Sequence, residues 1–253
     1  MREVGDGFWN IRGSFHVGPV DIGTQASLVR LADGRFVFLD GCALDHATRV
    51  RAAALTGQDG PAAIVHLHPF HTLHVRAMAS MFPEAKLYGT ARHHRRFPEL
   101  PWAPERTEDP AFAALFADDF TFSVPRGVAF VPSNENLHFA SVLALHKASR
   151  VLHVDDTIMV TKLPKPLRPL RRDLVRLHPT LRFVLDRRAG AAEEFTAWTD
   201  ELITLARDAD VLCAAHAAVL SQPDDRGRSI ADRVAKAVRR VRKLVERHRR
   251  RFG

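Results

Sequence analysis

Four histidines fall within nine residues, His66-Leu67-His68-Pro69-Phe70-His71-Thr72-Leu73-His74, directly behind the short apolar run Ala62-Ala63-Ile64-Val65. No other stretch constrains the fold as much. Read as a strand over 64–68, the run points alternate side chains to one face, so its end offers His66 and His68 together to one ion. Pro69 lacks a backbone N–H and ends such a strand, which leaves His71 and His74 near the start of whatever follows.

The remaining pattern is one of strands mixed with helices. Residues 26–31 and 35–39 are apolar strands around Asp33-Gly34, a strong hairpin dipeptide. Further strands are expected at 86–88, 120–122, 128–131, 138–145, 151–154, 182–185 and 211–214. Helices are expected at 46–55, 72–82, 110–116 (with Asp109 as cap and Pro110 in the first turn), 191–206 and 229–251. The Pro-rich segment Lys162 to Pro169 reads as a loop rather than a linker. Hairpins first, then alternating strands and helices, predict an α/β protein whose sheets are covered by helices.

At 253 residues the chain is long enough for a sizeable core, and a single domain over 1–253 is the expectation. No apolar run is long enough to span a membrane, and the first residues lack the apolar centre of a signal peptide. Cys42 and Cys213 suggest no disulfide framework, so a cytoplasmic location is expected. The net charge of +8 is localised: Ser229 to Gly253 holds ten Lys/Arg against Asp232 and Glu246, and the remainder is balanced. In that segment Ile230, Val234, Ala237, Val241, Leu244 and His248 fall on one helical stripe. A docked amphipathic helix with a solvated basic face is therefore favoured over a nucleic-acid or membrane-surface contact.

Other metal-binding residue types stand near the ends of apolar runs. His138 opens the expected strand 138–145, Asp155-Asp156-Thr157 closes 151–154, and His216 follows Val211 to Ala215. A carboxylate with several imidazoles suits zinc, iron or manganese. Each residue also has a plain structural alternative: a solvent-facing histidine at 138, a helix cap at 156, a core-edge histidine at 216. His74 and His93-His94-Arg95-Arg96 read as helix surface, and His146, His153 and His178 as structural.

Taken in order, these motifs resemble the metallo-β-lactamase fold superfamily over roughly Gln25 to Leu220. Phe38-Leu39-Asp40-Gly41 is similar to the aspartate–glycine end of its first strands. His66-x-His68-x-Phe70-His71 is similar to its His-x-His-x-Asp-His motif, with phenylalanine where aspartate is usual. Leu152 to Thr157 resembles its Gly-Asp-Thr segment, and Ala215-His216-Ala217 stands where Gly-His-Gly is usual.

The resemblance implies a four-layer αββα sandwich carrying one or two divalent ions, zinc first, iron or manganese as alternatives. His66, His68, His138 and Asp156 would hold the first ion. His71 and His216, sharing Asp156, would hold a second and weaker one, because Phe70 can supply neither a ligand nor an orienting carboxylate. The implied activity is hydrolysis of a small-molecule substrate by metal-bound hydroxide, with Asp156 in the catalytic set. Two alternatives stay open: a mononuclear iron oxygenase of the persulfide dioxygenase type, built on His66, His138 and Asp156, and a non-catalytic relative binding anionic partners through its basic tail.

Overall fold

A computed structural model describes residues 1–161, 174–216, 219–224 and 227–253. The expected Pro-rich loop at 162–169 lies outside the described residues, as does Ala217. The chain divides into two compact units, Met1–Phe122 with His146–Val151, and Ser123–Leu145 with Leu152–Gly253.

Unit 1 runs β1 (Arg2–Gly5), β2 (Phe8–Gly13), β3 (His16–Val17), β4 (Val20–Asp21), β5 (Thr24–Arg30), β6 (Phe36–Leu39), α1 (His46–Thr56), β7 (Ala63–Val65), α2 (Val75–Met81), β8 (Lys86–Gly89), α3 (Ala91–Arg96), β9 (Trp102–Arg106) and α4 (Pro110–Leu115), with β10 (Phe120–Ser123) at its end. Its sheet has the order β1-β2-β5-β6-β7-β8-β9. The Asp33-Gly34 hairpin forms as expected. β5 pairs antiparallel with β6, and Gly34 takes the positive φ of +87° that the turn requires.

From β6 to β9 the strands are parallel. Parallel neighbours cannot be joined by a tight turn, so α1, α2 and α3 serve as crossovers. One consequence matters for the site: the segments after β6, β7 and β8 all leave the sheet at the strands' carboxyl ends, where ligand sites of such sheets gather. They carry Asp40, the His66–His71 loop and the Thr90–His93 turn. The core joins Trp9, Leu28, Phe38, Ile64, Met78 and Leu87.

Unit 2 contains β11 (Leu143–His146, whose last residue belongs to unit 1), β12 (Val151–Val154), β13 (Ile158–Thr161), β14 (Leu174–Leu177), α5 (Leu181–Val184), α6 (Ala191–Arg207), β15 (Val211–Ala214), β16 (Val219–Ser221) and α7 (Ile230–Phe252). β11, β12, β15 and β16 lie in that order in one sheet, and β13 pairs antiparallel with β14. α6 buries the expected stripe of Phe195, Trp198, Leu202 and Leu205. α7 opens with a capping box in which the Ser229 hydroxyl and Asp232 carboxylate satisfy each other's backbone N–H groups. Its Ile230, Val234, Ala237 and Val245 are buried in the unit 2 core, with Val241 and Leu244 packed against it. No helix among the described residues is long and apolar enough to cross a membrane.

Several local expectations are corrected. The strand expected to carry His66 and His68 ends at Val65, because His66 and the residues after it turn away into a loop. The helix expected from Thr72 begins at Val75, since the His71 and Thr72 amides bond to the His68 and Phe70 carbonyls in a turn first. The strand expected from His138 begins at Leu143. The strand expected at 182–185 is helix α5, which buries Leu181 and Val184 three residues apart. The one expected at 128–131 reduces to a single bridge, Val128 to Leu185.

Candidate metal centre

Unit 1 supplies a set of imidazoles held by backbone hydrogen bonds. The His66 amide donates to the Tyr88 carbonyl (2.8 Å), and its own carbonyl accepts from the Thr107 hydroxyl (3.0 Å). These two bonds, one in each peptide direction, fix the ring's point of departure. The ring is fully buried beside His93 (centroids 5.1 Å apart) and Trp102 (5.9 Å). Neither of its nitrogens has a hydrogen-bond partner. Burial pushes the imidazole pKa down to about 4, with Asp40 pulling it up and His71 lowering it further. The ring is therefore neutral at pH 7 and offers a lone pair.

The flanking segment is clamped by Asp40. This residue adopts a left-handed φ of +56°, is buried, and accepts the Leu67 N–H at 2.9 Å, while its own amide donates to the Val65 carbonyl at 2.8 Å. A side chain in that conformation costs about 1 kcal/mol. The Asp40 carboxylate offsets it by tying the end of β6 to the loop after β7. Gly41 follows, and a Cβ there would meet Met78 Cγ at 2.9 Å.

His68 and His71 stack, with ring centroids 4.1 Å apart. His68 Nδ1 accepts the Phe70 N–H at 3.1 Å, which in the neutral ring assigns the proton to Nε2. A cation taking His68 must displace that proton or take Nδ1 from the Phe70 amide. His66 is thus the better prepared of the two. Where an aspartate was expected by resemblance, the Phe70 ring lies under the guanidinium of Arg92 (Cζ 4.5 Å from the centroid), and Arg92 Nη1 donates to the Pro69 carbonyl at 2.9 Å. Arg92 is buried, so a fixed positive charge stands against the loop that carries His68 and His71.

Unit 2 supplies a carboxylate between two imidazoles. Thr157 organises it: its hydroxyl donates to the Phe139 carbonyl (2.8 Å) and accepts the Ser141 N–H (3.0 Å). These bonds fasten the loop after β12 to the segment that carries His138. Asp156 then lies with Oδ2 3.7 Å from His138 Nδ1 and Oδ1 3.1 Å from His216 Nε2. His216 follows β15, held by the Ala215 amide on the Val154 carbonyl at 3.0 Å. His153 and Asp155, both fully buried, approach at 3.9 Å.

Two histidines read as surface or structure belong to these clusters. His93 was expected on an exposed helix end. It is fully buried, its Nδ1 accepts the Thr90 N–H at 3.1 Å, and burial and His66 hold its pKa well below the usual range. Gly89 makes room for it, since a Cβ there would lie 2.8 Å from both His93 Cβ and Trp102 Cζ3. His178 senses the unit 2 set: its pKa is lowered by burial, raised by Asp156, and lowered by His138 and His216. The signal in the sequence was Leu174-Val175-Arg176-Leu177-His178-Pro179, an alternating strand ended by His-Pro, as 64–69 ends in imidazoles and proline.

The donor types present suit a divalent ion: neutral, buried His66 with unpaired nitrogens in unit 1, and a carboxylate flanked by imidazoles in unit 2. Cys42 is not a competing nucleophile, because burial pushes its thiol up to about 12.

No family model and no curated protein matches the sequence. Solved structures do match. The chain is similar to a metallo-β-lactamase from Erythrobacter litoralis (15% identity, 97% of this chain and 95% of that one, TM-score 0.58). It is also similar to the metallo-β-lactamase FIM-1 from Pseudomonas aeruginosa in its mono-zinc form (11% identity, 95% and 94%, TM-score 0.59). A third likeness is to the Flv1 flavodiiron core from Synechocystis (9% identity, 96% of this chain but 60% of that one, TM-score 0.55). The protein has the α/β metallo-β-lactamase fold.

Proposed function

We propose that this protein is a metal-dependent hydrolase of a small-molecule substrate, and that the donors of the two units serve one metal centre within a single functional domain. The observation that carries this reading is His66: a buried imidazole with both nitrogens unpaired and a pKa near 4. An unsatisfied buried polar group costs roughly 1–3 kcal/mol unless something occupies it, and a neutral imidazole is what a cation needs. In this proposal His66, His68, His138 and Asp156 hold the first ion. His71 and His216, with Asp156, form a weaker second position.

When bound, a divalent ion supplies a hydroxide at neutral pH and polarises the scissile carbonyl or phosphoryl group. The protein's own contribution is alignment. Thr157 holds the Asp156 loop, and Asp40 and the Tyr88 carbonyl hold the His66 loop. Buried Arg92 offers a permanent positive charge on the side of the weaker position, where it suits an anionic substrate group and opposes a second cation.

Zinc is the expected metal. Iron is the second reading, favoured by the likeness to a flavodiiron core and by the Phe70 departure. A cytoplasmic location fits Cys42 and Cys213, both buried and neither in a disulfide. Elemental analysis of purified protein, followed by hydrolysis assays on lactam, lactone, thioester and phosphodiester substrates, tests the proposal. It predicts about one tightly held zinc and metal-dependent turnover of one class. Protein that neither retains nor binds a divalent ion at neutral pH refutes it.

A further inference from the structure

The fold of unit 2 turns the basic C-terminal segment into a rigid object. α7 spends its apolar face inside the unit, through Ile230, Val234, Ala237 and Val245. The opposite face is cationic. Lys236, Arg240, Lys243, Arg247 and Arg250 succeed one another at intervals of four, three, four and three residues, so they form one straight row, and all five are exposed. At 1.5 Å rise per residue the row is about 21 Å long with a cation roughly every 5 Å. Arg239 and Arg251 flank it. The ion pair that α7 makes among the described residues, Arg249 with Glu193 at 2.7 Å, lies off this row. Of the helix's two acidic residues, Asp232 is occupied with the Ser229 cap. Glu246, the other, stands one turn from Lys243 and Arg250, and Arg240 Nη1 donates to the Val175 carbonyl at 3.3 Å. Five cations against one neighbouring carboxylate still leave the row with excess like charge about one helical turn apart, an arrangement that suits a polyanion with regularly spaced charges.

A second observation concerns the segment that the last turns of α7 touch through a residue of the apolar stripe. His248 hydrogen-bonds the Asp186 carbonyl at 2.8 Å. Three residues before Asp186, Phe183 is 53% exposed, with the Arg182 guanidinium 4.4 Å over its ring. An exposed aromatic beside a cationic track is the pairing that holds unstacked bases.

We infer that the α7 row, with Phe183 on the segment that His248 touches, binds single-stranded nucleic acid through its phosphate backbone, without sequence preference. An anionic membrane fits less well. Surface helices attach there by inserting apolar side chains, and those of α7 are already buried, with no large exposed hydrophobic residue on it.

The test is fluorescence anisotropy of the full chain with labelled 20-nucleotide single strands of mixed sequence, the corresponding duplex, and phosphatidylserine-containing vesicles. Five phosphate contacts at a salt slope of about 0.7 each predict a roughly 100-fold loss of single-strand affinity between 50 and 200 mM salt. Combined Lys236→Gln, Lys243→Gln, Arg247→Gln and Arg250→Gln, all at exposed positions, should weaken binding at least tenfold and flatten the salt slope while leaving the melting temperature in place. Phe183→Ala should weaken single-strand binding about tenfold without changing the slope. Arg35→Gln with Lys86→Gln, exposed cations in unit 1, should change neither. The inference is overturned by absence of salt-dependent binding, by undiminished binding of the quadruple variant, by duplex binding as tight as single strand and indifferent to Phe183→Ala, or by preference for vesicles.

Discussion

Replacing Phe70 with aspartate would restore the carboxylate that the motif lacks, yet it should not by itself create a tight second metal position. The reason is Arg92, buried and with its guanidinium carbon 4.5 Å from the Phe70 ring centroid. A carboxylate introduced there meets that guanidinium at about 4 Å. At an effective dielectric of about 20 the attraction is about 4 kcal/mol, worth roughly three orders of magnitude in the affinity of any cation competing for the same oxygens. The wild-type contact it replaces is a cation–π interaction worth about 1–2 kcal/mol, so Phe70→Asp should fold. Zinc titration by calorimetry, with elemental analysis after dialysis, should then give one tight equivalent for wild type and one tight plus one very weak for Phe70→Asp. Two usable equivalents should appear only when Arg92→Gln is added. Two equal, tight equivalents in wild type would refute the reasoning, as would full second-site occupancy in the single Phe70→Asp variant.

Three further outcomes follow from the geometry. The His66 pKa falls from 6.5 to about 4 on folding, so the unfolded chain binds more protons between these values and metal-free stability must drop as pH falls through that window. Urea titration at pH 7.5 and 4.5 should show about 2.5 kcal/mol less pH dependence in His66→Leu than in wild type, and equal dependence would remove His66 as the cause. Gly127→Ala should destabilise by about 3–5 kcal/mol, because its φ is +70° and a Cβ would lie 2.0 Å from the Ala191 carbonyl oxygen at the start of α6; an unchanged melting temperature would contradict this. Removing residues 229–253 should lower the melting temperature by several degrees and reduce solubility, since Ile230 and Val234 each bury a side chain worth about 1.5–3 kcal/mol; a truncated protein that melts like the full chain would show that α7 adds nothing to unit 2.

The parts of the fold legible in the sequence were those set by local chemistry. Asp33-Gly34 fixed a hairpin, and the spacing of Phe195, Trp198, Leu202 and Leu205 fixed α6. Residues 211–214 formed a strand as read, and Ser229 with Asp232 capped the last helix. The first strands were not legible. β2 buries Asn10 among Phe8, Trp9 and Ile11, and a polar residue there is tolerated only because Asn10 donates to Gln25 across the sheet. Residues 182–185 are apolar enough for a strand, and tertiary packing of Leu181 with Val184 decides for helix.

Among the site residues, the imidazoles at 66, 68 and 71 were conspicuous by spacing alone. His93 was hidden inside a run of five basic residues, Arg92 to Arg96, of which Arg92 and His93 are the ones turned inward beside Pro69 and His66. Arg92 could not be recognised as a neighbour of Phe70, because that contact joins the loop after β7 to helix α3, which follows β8.

Asp40 concentrates three physical tasks in one side chain, and substitutions can separate them. Glycine removes the conformational penalty of φ +56° and loses the acceptor for the Leu67 N–H. Alanine keeps the penalty and loses the acceptor. Asparagine tolerates the conformation and retains an acceptor, but takes away the negative charge that pulls the His66 pKa upward. Backbone strain, loop anchoring and the proton affinity of a buried imidazole are thus coupled through a single carboxylate at the end of one strand, so a change made to relax any one of them reaches the other two.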